Sequence, residues 1–188
     1  MQPSLRRWGV GSVGSNWDET ASVPPQPLDA KTILRVLVEH GVDFVVVGGF
    51  AVAFHGFPRA TKDLDIVPAP DPANQLRLYE ALTSLDAQPL EIGDFRPDEL
   101  PVPFGPEALA EGGNWALATT AGRVDLLQWL PGVEGFEQLR ADAVEADVPD
   151  VGAVLFAGYE DLVAMKRAAG RVEDERDLDQ LRTIREDA

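Results

Sequence analysis

Cysteine is absent from the 188 residues, and that absence removes disulfides, thiolate metal sites and a cysteine nucleophile from consideration. Any metal chemistry must therefore run on oxygen ligands, with only two histidines available beside them. Basic residues are scarce: 16 Lys and Arg stand against 32 Asp and Glu, a formal charge of −16. Non-specific binding to a phosphate backbone draws its free energy from clustered cations, so a nucleic-acid-coating role is disfavoured, and an RNA contact needs a locally basic rim. Long apolar runs are missing as well. None approaches the roughly 18 residues that span a bilayer, and the polar stretch after Arg6 and Arg7 does not make a signal-peptide core. The expectation is a protein of the reducing cytoplasm, without a membrane partner.

What is present is enough for one globular domain: 45% of the residues are hydrophobic. Residues 1–27 mix Gly, Ser and Pro with no apolar period and read as a mobile tail, which Trp8 and Trp17 could dock onto the rest. Residues 28–188 read as a single domain. Asp29 precedes Ile33, Leu34, Leu37 and Val38 at helical spacing, with Gly41 as the stop. Phe44–Val47 is a short buried strand that runs into Gly48-Gly49, and a helix follows from about Phe50 to Phe54. Leu64–Val67 is a second strand, and Pro72 opens a helix through Leu76, Leu78, Tyr79, Leu82 and Leu85. The proline- and glycine-rich stretch 94–113 predicts an irregular excursion with one helical turn. A hairpin follows around Ala121-Gly122, and two helices close the chain, Tyr159 to about Ala169 and Asp174 to about Arg185. The class is α/β or α+β, with a mixed sheet.

The chemistry concentrates between Val47 and Asp65. Alternate strand residues share a face, so Asp63 and Asp65 project together while Leu64 and Ile66 enter the core. Two carboxylates in one volume repel unless a cation relieves them, and hard divalent ions favour such oxygens. Asp125 lies in a similar strand, so a third carboxylate converges if the two strands are neighbours. Gly48 and Gly49, between strand and helix, let backbone N–H groups approach a phosphate, and a β-branched residue at Gly49 would block that approach and resist positive φ. Each feature alone has a plainer reading, a tight turn for the glycines and a solvated strand edge for Asp-x-Asp.

In order, the strand, Gly48-Gly49, the helix, Arg59-x-Thr61-x-Asp63-Leu64-Asp65 and the later Asp125 resemble the nucleotidyltransferase superfamily of the DNA polymerase beta type. The likeness is greatest to the branch of AbiEii-like toxins and minimal nucleotidyltransferases, and it covers about residues 30 to 185. The resemblance implies a nucleotidyltransferase fold with a C-terminal helical pair. It implies Asp63, Asp65 and Asp125 as ligands of Mg²⁺, or Mn²⁺ in its place, and Gly48 and Gly49 as the phosphate-binding turn. Transfer of a nucleoside monophosphate from an NTP such as ATP to a hydroxyl of RNA, protein or a small molecule would follow, with a cognate antitoxin as a further partner if the chain is a toxin. Many members carry Gly-Ser at the turn; here backbone amides alone remain for phosphate.

Lys166 falls on an inward helical stripe with Leu162 and Ala169, where an unpaired cation is costly, so an anionic partner is implied: a nucleotide phosphate, or Asp177. The resemblance to the branch's Lys-then-Asp pair adds Lys166 to the catalytic and nucleotide-binding set. Asp174 and Asp177 also suit a capping box opening the last helix. Arg59 can reach a triphosphate or form a salt bridge, and Thr61 shares the face of Asp63. Arg123 is expected on the sheet face opposite Asp125, while His40 and His55 read as structural. The rival to an enzyme is a non-catalytic nucleotide-binding or antitoxin-like module on the same fold.

Overall fold

The structure is a computed structural model that describes residues 26–90 and 103–186. Most of the expected N-terminal tail, and residues 91–102 of the excursion, lie outside the described residues. Helix α1 (Ala30–Glu39) starts where Asp29 accepts from the Thr32 backbone N–H at 3.1 Å, and it buries Ile33, Leu34 and Leu37. It ends at Gly41, whose φ of +66° reverses the chain into β1 (Phe44–Val46). Next come α2 (Gly48–Phe54), β2 (Asp63–Pro68) and α3 (Pro72–Ser84), then β3 (Gln88–Pro89) and α4 (Pro106–Glu111). The hairpin pairs β4 (Asn114–Thr119) with β5 (Gly122–Leu127). The chain closes with α5 (Phe136–Asp142), β6 (Val144–Val148), β7 (Gly152–Phe156), α6 (Tyr159–Ala169) and α7 (Val172–Glu186).

Seven strands form one mixed sheet in the order β3-β4-β5-β2-β1-β7-β6, with β1–β7 and β2–β5 parallel and the other pairs antiparallel. Helices lie on both faces. On one side α1, α3 and α4 pack on Leu64, Ile66, Leu117, Val124 and Leu126; on the other α2, α5, α6 and α7 pack on Val45, Val47 and Val67. Burial alternates along β2 and β5 as a period of two requires: Leu64, Ile66, Val124 and Leu126 are sealed, while Asp63, Asp65 and Asp125 on the other face are only half-buried. Among the described residues no helix is long and apolar enough to cross a membrane.

The fold departs from the sequence reading in three places. Leu76, expected on the apolar stripe of α3, is 48% exposed, and Asn74 and Gln75 are buried instead. The first turn of α3 docks on the ends of β1 and β2, where backbone groups need polar partners: Asn74 accepts from the Asp43 N–H and donates to the carbonyls of Asp43 and Ala69. Helix α2 begins at Gly48 rather than Phe50, and α7 at Val172 rather than Asp174. The segment 136–156, assigned no element above, supplies α5 and the β6–β7 hairpin, so β7 pairs in parallel with β1 and completes the half of the sheet beyond the glycine turn.

Candidate active site

The carboxylates meet because β2 and β5 run parallel and in register. Asp65 stands opposite Asp125, and Asp63 opposite Arg123. Neighbouring strands are about 4.8 Å apart, so the facing pair on one surface is in close electrostatic contact. The third carboxylate, which the sequence places beside the other two only conditionally, is thus brought in by strand pairing. Asp65 carries the consequence. Burial first, then repulsion from Asp63 and Asp125, pushes its pKa up to about 6, opposed by the Gly49 backbone N–H and by the charge of Lys166.

Arg123 lies on the face of the carboxylates, not opposite to it. Residues two apart on a strand share a face, so the guanidinium reaches Asp125 with two hydrogen bonds of 2.7 Å, and its Nε lies 3.9 Å from Asp63. Among the described residues no three carboxylate or imidazole side chains are grouped so as to hold a metal ion as they stand. Arg123 engages both oxygens of Asp125. The donor set still fits a hard divalent ion: it is all oxygen, and its most buried member bears repulsion that a cation would relieve. Asp63 and Asp65 would hold such an ion, and Asp125 would join once Arg123 releases it.

Gly48 is required twice over. Its φ is +60°, and a Cβ there would fall 1.9 Å from Asp65 Oδ2, so the turn and the carboxylate strand interlock only without a side chain. At Gly49 φ is ordinary, contrary to expectation; the constraint is the Thr61 hydroxyl, 2.8 Å from where a Cβ would sit, with Arg59 Nη2 at 3.4 Å. Thr61 Oγ1 lies 3.2 Å from both the carbonyl oxygen and Oδ1 of Asp63, so it orients that carboxylate.

Lys166 is 6% exposed and its anionic partners are on α7: Asp174 Oδ1 at 2.8 Å and Asp177 Oδ2 at 2.7 Å. Arg59 Nε meets the other oxygen of Asp177 at 3.0 Å, without aligned hydrogen-bond geometry. Asp174 also accepts from the Arg171 N–H, so the cap of α7 lies three residues before the Asp174–Asp177 box expected from sequence, and Asp177 is left to the ion pairs. Arg59 and Lys166 therefore hold α7 to the site while lining a cavity of about 520 Å³. The cavity gathers Gly48, Gly49, Thr61, Asp63, Asp65 and Asp125, together with Lys62 and Arg171. His40 Nδ1 lies 2.8 Å from the Val36 carbonyl and His55 Nε2 2.8 Å from that of Ala157, structural contacts as expected. Sequence reasoning put Arg123 on the wrong face and did not single out Trp129, and both line the cavity. Period-two spacing was the available signal for Arg123; nothing in the sequence marks Trp129.

A glycine turn after β1, an Asp-x-Asp strand beside it and a third Asp on the parallel neighbour stand together as the sequence resemblance implies, and the fold that carries them is that of a solved adenylyltransferase. The chain is similar to the lincosamide antibiotic adenylyltransferase LnuA in its lincomycin-bound form, with a TM-score of 0.56 at 14% identity over 85% of this chain and 99% of that one. It is also similar to ANT(2")-Ia in complex with adenylyl-2"-tobramycin, with a TM-score of 0.47 at 14% identity over 81% and 90% of the two chains. An antigenic nucleotidyltransferase-like protein from Paracoccidioides brasiliensis gives a TM-score of 0.48 at 17% identity over 80% and 72%. No family model and no curated protein matches the chain.

Proposed function

We propose that this chain transfers a nucleoside monophosphate from an NTP to a hydroxyl acceptor and releases pyrophosphate. The observation that carries the reading is the pairing of Asp65 with Asp125 across parallel strands, with Asp63 on the same face and the side-chain-free turn of Gly48 against them. The backbone at Gly48-Gly49 would receive the triphosphate, and Arg59, Lys62, Lys166 and Arg171 would offset its charge. A divalent ion such as Mg²⁺, held by Asp63 and Asp65, would supply charge neutralisation at the phosphorus under attack. Asp125 would aim the acceptor hydroxyl in line with the leaving pyrophosphate and take up its proton as the bond from that oxygen to the α-phosphorus forms and the bond to the bridging oxygen breaks. Positioning and charge account for the catalysis. A toxin role with a cognate antitoxin, and an RNA 3′ end as acceptor, rest on the resemblance alone.

The test is thermal melting with each NTP and Mg²⁺, beside mass spectrometry of the products. Wild type should gain several degrees with at least one NTP, and Asp63→Asn with Asp65→Asn should lose that gain without losing the fold. An undiminished shift in the double variant would remove the carboxylates from the site. Nucleotide binding with no pyrophosphate released in the presence of acceptors would favour the non-catalytic module.

A further inference from the structure

Four of the cavity's cations, Arg59, Lys62, Lys166 and Arg171, lie before β2 and on the α6–α7 side with the glycine turn, while the fifth, Arg123 of β5, is taken up by Asp125. On the β5 side, beyond Asp125, the lining is Asn114, Leu127, Trp129, Leu130 and Pro131, with no Lys or Arg among the described residues there. The strand surface that continues from it is open: on the Asp125 face Ala116 and Ala118 of β4 are small and half-buried and Asn114 is exposed, whereas Leu117, Val124 and Leu126 on the reverse face are sealed.

Trp129 stands at the end of this shelf and is 69% exposed, although water contact of so large an apolar ring is unfavourable. It is held in place. Asn114 Oδ1 accepts from the backbone N–H groups of Gln128 and Trp129, and Asn114 Nδ2 donates to the Trp129 carbonyl. A Cβ on Gly112 would lie 3.5 Å from the indole Nε1, so the ring runs along a glycine. Trp129 follows Asp125 by four residues, two past the end of β5.

Resting on the nucleotidyltransferase reading, we infer that the acceptor is a small, uncharged or cationic ring compound, which lays an apolar ring face on Trp129 and presents its hydroxyl to Asp125. A polyanionic acceptor would meet on that half only Arg123, already paired with both oxygens of Asp125, and an overall charge of −16 around it. Stacking on an already exposed indole recovers its burial, and the Asn114 contacts spare the cost of ordering the backbone that carries it.

The experiment uses the full chain labelled with 5-fluorotryptophan, the Trp129 resonance being assigned by its loss in Trp129→Phe. It is titrated, with Mg²⁺ and α,β-methylene-ATP present, with lincomycin, with tobramycin and with the ribo-oligonucleotide ACCACCA. The expected result is a Trp129 shift with at least one of the small molecules and none with the oligonucleotide. Trp129→Ala should raise the Kd of that small molecule at least tenfold, Trp129→Phe less than threefold, and neither should move the Kd of the nucleotide more than twofold. A Trp129 response to the oligonucleotide alone, no response to either small molecule, or an unchanged Kd in Trp129→Ala would overturn the inference. Nucleotide binding measured on the same samples separates the two levels: if it persists while Trp129 is silent, only the acceptor assignment falls; if it is absent, the nucleotidyltransferase reading falls with it.

Discussion

Asp65 is the residue on which most of the site's energy converges. Its folded pKa of about 6 exceeds the ordinary 3.8, so the folded state binds this proton more tightly than the unfolded chain. The stabilising contribution is complete below about pH 3.8 and is lost as pH rises through 6. Two pKa units correspond to about 3 kcal/mol. In metal-free buffer, Asp65→Asn should remove that slope, so the variant gains about 3 kcal/mol on wild type between pH 4 and 7; chemical denaturation at both pH values checks it, and parallel pH profiles would show that Asp65 is not under strain. Arg123 acts in the opposite sense. Removing its two hydrogen bonds to Asp125 leaves three carboxylates with less compensation, so Arg123→Ala should lower metal-free stability by about 1–3 kcal/mol, as for a charged hydrogen bond, and strengthen the stabilisation that Mg²⁺ confers. Melts with and without Mg²⁺ test both halves, and a variant that responds to Mg²⁺ less than wild type would mean Arg123 supports the ion site instead of competing with it.

Among the elements, the α6–α7 pair depends on one charged cluster. Lys166, nearly sealed, is neutralised by Asp174 and Asp177, and Asp177 extends the cluster to Arg59 on the loop before β2. Removing one partner of a buried pair leaves the others uncompensated, so Lys166→Met should cost about 3–5 kcal/mol, and Asp177→Asn on that background should recover part of it. Denaturant melts of the single and double variants decide; a small loss in Lys166→Met would mean that water or relaxation replaces the ammonium. Of the two partners that the sequence implies for Lys166, the structure shows Asp177, with Asp174 beside it on α7; Lys166 also lines the cavity, and its charge lowers the pKa of Asp65. Elements with a local signal were legible. Asp29 caps the helix that its position predicts, at 3.1 Å, and the β4–β5 hairpin stands where Gly122 marks a turn. The β6–β7 hairpin and the buried polar turn of α3 were not, because both are justified by distant partners, β1 for β7 and the strand ends for Asn74.

For the whole molecule, the charge of −16 means self-repulsion that salt screens. Raising NaCl from about 0.05 to 0.5 M should therefore increase Tm by about 2–4 °C, the shift expected for roughly 1 kcal/mol in a chain of this size. A Tm that falls with salt would show that specific ion pairs such as Lys31–Asp150 and Arg140–Asp43 outweigh the net repulsion.

By itself the sequence determined the alternation that puts Asp63 and Asp65 on one face, the glycine pair after a buried strand, the helix caps and the mixed α/β class, because each depends on neighbours within a few residues. Only tertiary structure decided that β5 lies in parallel register beside β2. Strand pairing is a choice among partners distant in the chain, and nothing local to Val124-Asp125-Leu126 names the strand it will join. That one choice set Asp125 opposite Asp65, brought Arg123 against Asp63, raised the pKa of Asp65 and carried Trp129 to the edge of the cavity.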